Sequence, residues 1–313
     1  MAFSIDQMEL ADIGHPRTLA RALQDQIRDQ LGSIPHEFPL EELATELGVV
    51  EISKFESDSI EGMLVVQGDL RIIGINAKAK PTRARFTIGH ELGHAVIPTH
   101  LAGKTQFKCG RSEFAAERPR RGLLAEGVSI AQRKEIEANE FASELLVPHV
   151  EFRAFSERLG DDANLLHLRA LAQAFKVSTE MMSRIYVERA SEKIGIIISK
   201  NGKLARLIIP RNFPYLGLRK NVELPQRSLT RSILSIGRQT EVPSPERLAS
   251  SIWFDEDQNV TGLAEQCLLL RGGWALTLLS VQKITETDDE PWSGLRPADS
   301  MWSRERSGRF SWD

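Results

Sequence analysis

The chain has 313 residues, 41% hydrophobic and 27% charged, with a formal net charge of −3. That balance excludes a disordered or membrane-embedded protein, and the length suits about two domains. No apolar run approaches the roughly 18 residues of a membrane-crossing helix, and the first residues lack the apolar core of a secretion signal. The expectation is a cytoplasmic chain whose two cysteines, Cys109 and Cys267, stay free thiols.

The first predicted element is a helix over residues 16–31. Leu19, Leu23, Ile27 and Leu31 fall four apart on one stripe, and Gly32 follows as a stop. Residues 39–49 form a second short helix ending at Gly48. The strand EISKF leads into EGMLVVQ and LRIIGIN, whose separation by Gly68-Asp69 marks a hairpin. A long helix follows Pro81-Thr82 and runs through ARFTIGHELGHAVI to Pro98, which cannot continue it. Residues 99–129 show no period and read as a long loop, of a length that usually carries function. AQRKEIEANEFASELLVP (131–148) is helical, and residues 164–190 make two helices turned at Val177-Ser178. Beyond Ala190 the pattern becomes strands: GIIIS and KLARLII around Lys200-Asn201-Gly202, then CLLLR and WALTLLSV around Gly272-Gly273. Internal repeats are absent. The pattern predicts an α+β chain with a boundary near residue 191 and a polar tail over 291–313.

His90-Glu91-Leu92-Gly93-His94 is an H-E-x-x-H sequence on the predicted helix after Pro81. Its spacing sets both imidazoles on one face, one turn apart, where they can share a tetrahedral metal ion. Glu91 is then placed to take the proton of a water polarised by that metal and to pass it to a leaving amine. A catalytic zinc centre needs a third protein ligand and an open fourth position. The next helix offers Glu135 and Glu137, with Asn139 one turn beyond Glu135. This E-x-x-A-N pattern resembles the ligand helix of gluzincin metallopeptidases. On that register Glu135 is the third ligand and Asn139 orients a histidine from behind. Glu137 points about 200° further round the helix and is expected outside the site.

ARFTIGHELGHAV followed by EIEANEFASELLVP, with LRIIGIN before and LAQAFKVS after, resembles the ImmA/IrrE family of bacterial and phage metallopeptidases. The resemblance covers roughly residues 15–190 and implies a small helical zincin core with a short antiparallel sheet. It further implies a zinc ion on His90, His94 and Glu135, and cleavage of a helix-turn-helix transcriptional repressor. Longer members carry a C-terminal sensor domain described as GAF-like, and the hairpins after residue 191 suit one. In this long form the chain is similar to the CapP-type peptidases of anti-phage defence operons. Residues 1–190 are then the peptidase domain, 191–290 a second α+β (GAF-like) sensor domain, and 291–313 the tail.

Several further residues take expected roles. Cys109 sits on the long loop, where Gly110 lets the chain turn and Lys108 and Arg111 would favour the thiolate. Its sulfur is expected as a fourth zinc ligand that closes the site and holds the peptidase inactive until a signal arrives. Residues 196–240 hold nine Lys/Arg against one acid, Glu223. Arg206, Arg211, Arg219 and Lys220, beside Phe213 and Tyr215, suit single-stranded DNA, with phosphates on the cations and bases on the rings. Such DNA is the expected activator. The helix at 179–190 presents Met181, Met182, Ile185 and Tyr186, a packing surface rather than a DNA-reading one. His100, His149 and Tyr186 are the candidates for stabilising an oxyanion. The substrate would add as an extended strand along residues 63–76. The expected function is therefore a zinc-dependent endopeptidase that cleaves a repressor to release a stress or phage-defence operon. The alternative is a nucleic-acid-binding transcriptional regulator with a structural zinc site. Glu91 separates the two, because a structural site has no use for a general base.

Overall fold

The computed structural model describes residues 3–68, 70–101, 106–110, 128–237, 242, 244–255 and 260–284, with 282–284 described by backbone alone. The fold is mixed α+β. The chain forms two compact units, residues 1–159 with 171–181 and residues 160–170 with 182–313.

The first unit opens with α1 (Pro16–Leu31), which buries Leu19, Leu23 and Ile27 completely along the expected stripe. After α2 (Leu40–Glu46) come β1 (Val49–Phe55), β2 (Ile60–Gln67) and β3 (Leu70–Asn76). Then follow α3 (Pro81–Val96), β4 (Gln106–Gly110), α4 (Ile130–Leu146) and α5 (His149–Leu159). The sheet has the order β1-β3-β2-β4. It corrects three expectations. First, the sheet is mixed, because β1 runs parallel to β3 with Ile52 opposite Ile73. The Asn76 side chain holds the link that allows this, donating to the carbonyls of Ser57 and Ile60 at 2.6 and 2.8 Å. A hairpin signal is local and does not say what covers the hairpin's other side. Second, the expected loop over 99–129 contains β4, whose alternation of buried Phe107 and Cys109 with exposed Gln106 and Lys108 is too short to stand out. Third, residues 63–76 are not an edge: β4 covers β2 and β1 covers β3.

The metal helix and the glutamate helix cross closely. A methyl group on Gly93 would come 3.2 Å from the Ala138 Cα, a crowded contact that the glycine avoids as α4 approaches. Ser129 caps α4 in a reciprocal box with Gln132, fixing where the helix starts and hence which face Glu135 and Asn139 share.

Helices α6 (Leu165–Ala174) and α7 (Thr179–Arg189) are each divided between the two units. The second unit is built on an antiparallel sheet of order β6-β5-β9-β8-β7. Its strands are β5 (Lys193–Lys200), β6 (Lys203–Ile208), β7 (Glu246–Leu248), β8 (Val260–Leu269) and β9 (Trp274–Ile284). Both expected hairpins are present, β5–β6 and β8–β9. Two helices were not expected: α5 in the first unit and, here, α8 (Leu229–Ile236), which the Ser228 hydroxyl caps. Its first two N–H groups donate to the buried Glu265 carboxylate, which also accepts from the Thr230 hydroxyl and the Trp253 indole. The core of this unit joins Ile197, Phe213, Trp253, Phe254, Leu263 and Leu279. Among the described residues no helix is long and apolar enough to cross a membrane.

Candidate metal centre

Four side chains from three elements converge in the first unit. His90 and His94 come from α3, Cys109 from β4 and Glu135 from α4, and their ligand atoms all lie within 4.8 Å of one another. His90 Nε2 stands 3.1 Å from His94 Nε2 and 3.2 Å from Glu135 Oε2. His94 Nε2 is 3.5 Å from the same oxygen, and Cys109 Sγ is 3.8 Å from His94 Nε2 and 3.7 Å from Glu135 Oε2. Zinc bonds of about 2.0–2.3 Å at tetrahedral angles require ligand atoms roughly 3.3–3.8 Å apart. The donor set fits that requirement. Two imidazole nitrogens, a carboxylate oxygen and a sulfur packed this closely repel one another unless a cation or a proton lies between them.

The surroundings hold these donors in place. His90 Nδ1 meets the Asn139 Oδ1 at 2.9 Å, the support expected for it. His94 Nδ1 meets His100 Nδ1 at 3.0 Å, and His100 Nε2 meets Glu137 Oε2 at 3.0 Å. The Phe107 ring, also from β4, lies nearly parallel to His94 with centroids 4.5 Å apart. Burial acts to raise the Glu135 carboxyl, but the hydrogen bonds and charges of His90 and His94 outweigh it and hold the group well below the ordinary range. Burial lowers the His100 imidazole to about 4, against the opposing hydrogen bond to Glu137.

Glu91 is fully buried, and among the described residues neither carboxylate oxygen meets a partner of hydrogen-bond geometry. Burial pushes its carboxyl well above the glutamate range, with the Cys109 thiol opposing this and Glu135 reinforcing it. An unmatched buried carboxylate is costly and marks a place where another group belongs. A methyl group on Gly62, in β2, would fall 2.6 Å from Glu91 Oε1 and collide with Thr87 Cγ2, so the bare backbone there leaves the space that Glu91 occupies.

The thiol corrects one expectation. Lys108 is exposed on the opposite face of β4, and Arg111 lies outside the described residues. Burial, and then the charges of Glu91 and Glu135, push the Cys109 thiol far above its ordinary range. Only a cation in the site would favour the thiolate. The three oxyanion candidates have different surroundings. His100 stands buried behind His94, His149 is exposed at the start of α5, and the Tyr186 hydroxyl accepts from the Asn164 backbone N–H. In the second unit Arg211 and Arg219 are exposed and Arg206 and Lys220 half-buried. Phe213 is a correction: it is only 7% exposed, 6.1 Å from the Phe254 ring, and committed to the core. Tyr215 is 39% exposed. Sequence reasoning passed over His100 and Glu137 as a pair, although the one lies six residues past His94 and the other two past Glu135.

Residues 43–118 and 129–185 match the M78 peptidase family model, described as the IrrE N-terminal-like domain. The match takes in α3, β4 and α4 but less than half of the chain, and over that segment it supports the resemblance to the ImmA/IrrE family. None of the curated proteins matches. Among solved structures, a Mycobacterium tuberculosis transcriptional regulator is similar at 13% identity with a TM-score of 0.48, over 88% of this chain and 82% of that one.

Proposed function

We propose that this chain is a zinc-dependent endopeptidase that cleaves a partner helix-turn-helix repressor, and that the described conformation is its latched state. The observation that carries the reading is the meeting of His90, His94 and Glu135 beside a fully buried Glu91 without a hydrogen-bond partner. The family match over α3 and α4 supports the peptidase class. A zinc ion held by His90, His94 and Glu135 would supply Lewis acidity toward the scissile carbonyl and the attacking water. Asn139 keeps the His90 ring in its ligating orientation. Glu91 takes the proton of the attacking water and returns it to the departing amide nitrogen. Burial of the whole cluster keeps bulk water from competing.

The latch follows from β4. Cys109 completes a closed donor set, and β4 occupies the β2 ladder that a substrate strand would take. One displacement of β4 would open both. We place the trigger in the second unit, read as a GAF-like sensor in which Arg206, Arg211, Arg219, Lys220 and Tyr215 meet single-stranded DNA. The test is incubation of the zinc-loaded chain with the repressor, with and without single-stranded DNA. The parent should cut only with DNA, Glu91→Gln should keep zinc and lose about 10³-fold in rate, and Cys109→Ala should cut without DNA. An active Glu91→Gln variant would sink the mechanism, and a Cys109→Ala variant that still waits for DNA would sink the latch. The closed donor set also favours a second reading, a nucleic-acid-binding regulator whose zinc is structural. On that reading no variant cuts, and Cys109→Ala loosens zinc.

A further inference from the structure

The supports behind the two histidines differ in kind. His90 rests on a neutral amide, Asn139. His94 rests on a second imidazole, His100, which in turn rests on the Glu137 carboxylate, each step 3.0 Å long. His100 is fully buried, whereas the Glu137 side chain is 17% exposed at the outer end. Lys134 Nζ donates to the His100 carbonyl at 2.9 Å, so α4 grips this residue by both its side chain and its backbone.

One arrangement of protons satisfies the whole row. His94 Nε2 faces the donor cluster and must be bare to bind a cation, so its proton lies on Nδ1. That N–H needs an acceptor, which makes His100 Nδ1 bare and places the His100 proton on Nε2. The Nε2–H then donates to Glu137. No donor faces a donor, and the row ends on a charge that solvent reaches.

His100 follows His94 by six residues, the interval at which a third histidine ligates metal in H-E-x-x-H-x-x-G-x-x-H proteins. Here the glycine position is Ile97, at φ −72° and ψ 115°, with Pro98 after it. Ile97 ends α3 in an extended conformation, a turn closed by the His100 N–H on the Ile97 carbonyl at 2.9 Å follows, and His100 arrives behind His94 and outside the cluster of donor atoms.

We propose that His100 and Glu137 are positioning residues that fix the tautomer and ring angle of His94 and, through the terminal carboxylate, make it the stronger of the two histidine donors. The inference rests on the reading that His90, His94 and Glu135 hold zinc.

The full chain tests it through zinc affinity, by competition with a chromophoric chelator, and through the visible spectrum of the cobalt-loaded form. His100→Leu removes the acceptor and should weaken zinc about 10–100-fold. His100→Gln restores an acceptor for the His94 N–H and should recover part of that loss. Glu137→Gln keeps a hydrogen-bond acceptor but removes the charge, and should weaken zinc by a smaller factor and shift the cobalt bands. A merely structural pair would lower the melting temperature of the metal-free chain while zinc affinity stayed within about twofold of the parent, and that result overturns the relay. Should His100→Leu fail to fold, the zinc-loaded parent still decides. Long-range proton–nitrogen NMR must find the proton on Nδ1 of His94 and on Nε2 of His100, and the opposite tautomer at His100 overturns the proposal. Failure of the underlying reading looks different: His90→Ala would then bind zinc as tightly as the parent.

Discussion

At the scale of single residues, the centre depends on a side chain that is absent. Gly62 faces Cys109 across the β2–β4 ladder and leaves room for Glu91 and Thr87. Glu91 is itself fully buried. Gly62→Ala should therefore displace the Glu91 carboxylate while the ligands on α3 and α4 stay in place. The expected result is retained zinc, a stability loss of about 1–3 kcal/mol from overpacking, and cleavage reduced well beyond what that loss explains. Measured zinc content, melting temperature and turnover together check it, and parent-like turnover would show that Glu91 has slack. Residue spacing alone made much of this centre legible. The i, i+4 histidines and the register of Glu135 with Asn139 are properties of a helix, and helices keep their own period. Gly62, His100 and Glu137 were not legible, because each acts through a neighbour that only tertiary packing supplies.

Elements hold that packing through a few buried charges. Arg28 on α1 grips Glu151 on α5 with two hydrogen bonds of 3.0 and 2.9 Å, and the same carboxylate accepts the Ile34 N–H at 3.2 Å. Burial alone would raise the Glu151 carboxyl, but the Arg28 hydrogen bonds and the Ile34 N–H prevail and hold it below the ordinary glutamate value of 4.5. The folded state thus favours the ionised form. Its contribution is fully present above 4.5 and is lost as pH falls through the depressed folded value. Glu151→Gln should cost roughly 2 kcal/mol at neutral pH, where it leaves Arg28 half-matched in a mostly buried place. The gap between parent and variant should shrink on acidification below 4.5, as read from denaturant unfolding at a series of pH values. A gap that is constant across that range contradicts the assignment. The elements themselves divide by how local their signals are. Periodic helices and tight hairpins were readable from the chain. Strand β4, the parallel pairing of β1 and the helices α5 and α8 were not, although Ser228 and Gly237 stood at the two ends of α8 as cap signals. A five-residue strand shows too few alternations to be told from a loop, and strand order depends on partners far away in sequence.

At the scale of the whole molecule, the chain does not complete one unit before starting the next. Residues 160–170 belong with the second unit and residues 171–181 with the first, so the backbone passes between units within α6 and again within α7. The bonds inside the second unit show what ties its early segment down. Gln266 on β8 accepts the Leu165 N–H at 2.6 Å and donates to Asn164 Oδ1 at 3.1 Å, while the Tyr186 hydroxyl accepts the Asn164 N–H at 3.0 Å. Leu165 and Leu168 are fully buried. A fragment ending at residue 190 keeps Tyr186 but loses β8, and with it both Gln266 bonds at the start of α6. Leu165 N–H then loses its partner, at about 1 kcal/mol or more for a buried group left unmatched, while Asn164 Oδ1 keeps only the Leu166 N–H at 2.8 Å. The fragment should consequently melt below the full chain, bind an apolar dye, and exchange the amide hydrogens of 160–170 rapidly while α3 and α4 stay protected. Gln266→Ala in the full chain should produce a milder form of the same pattern, confined to the start of α6. Full protection of 160–170 in the fragment would mean that this segment needs nothing from β8.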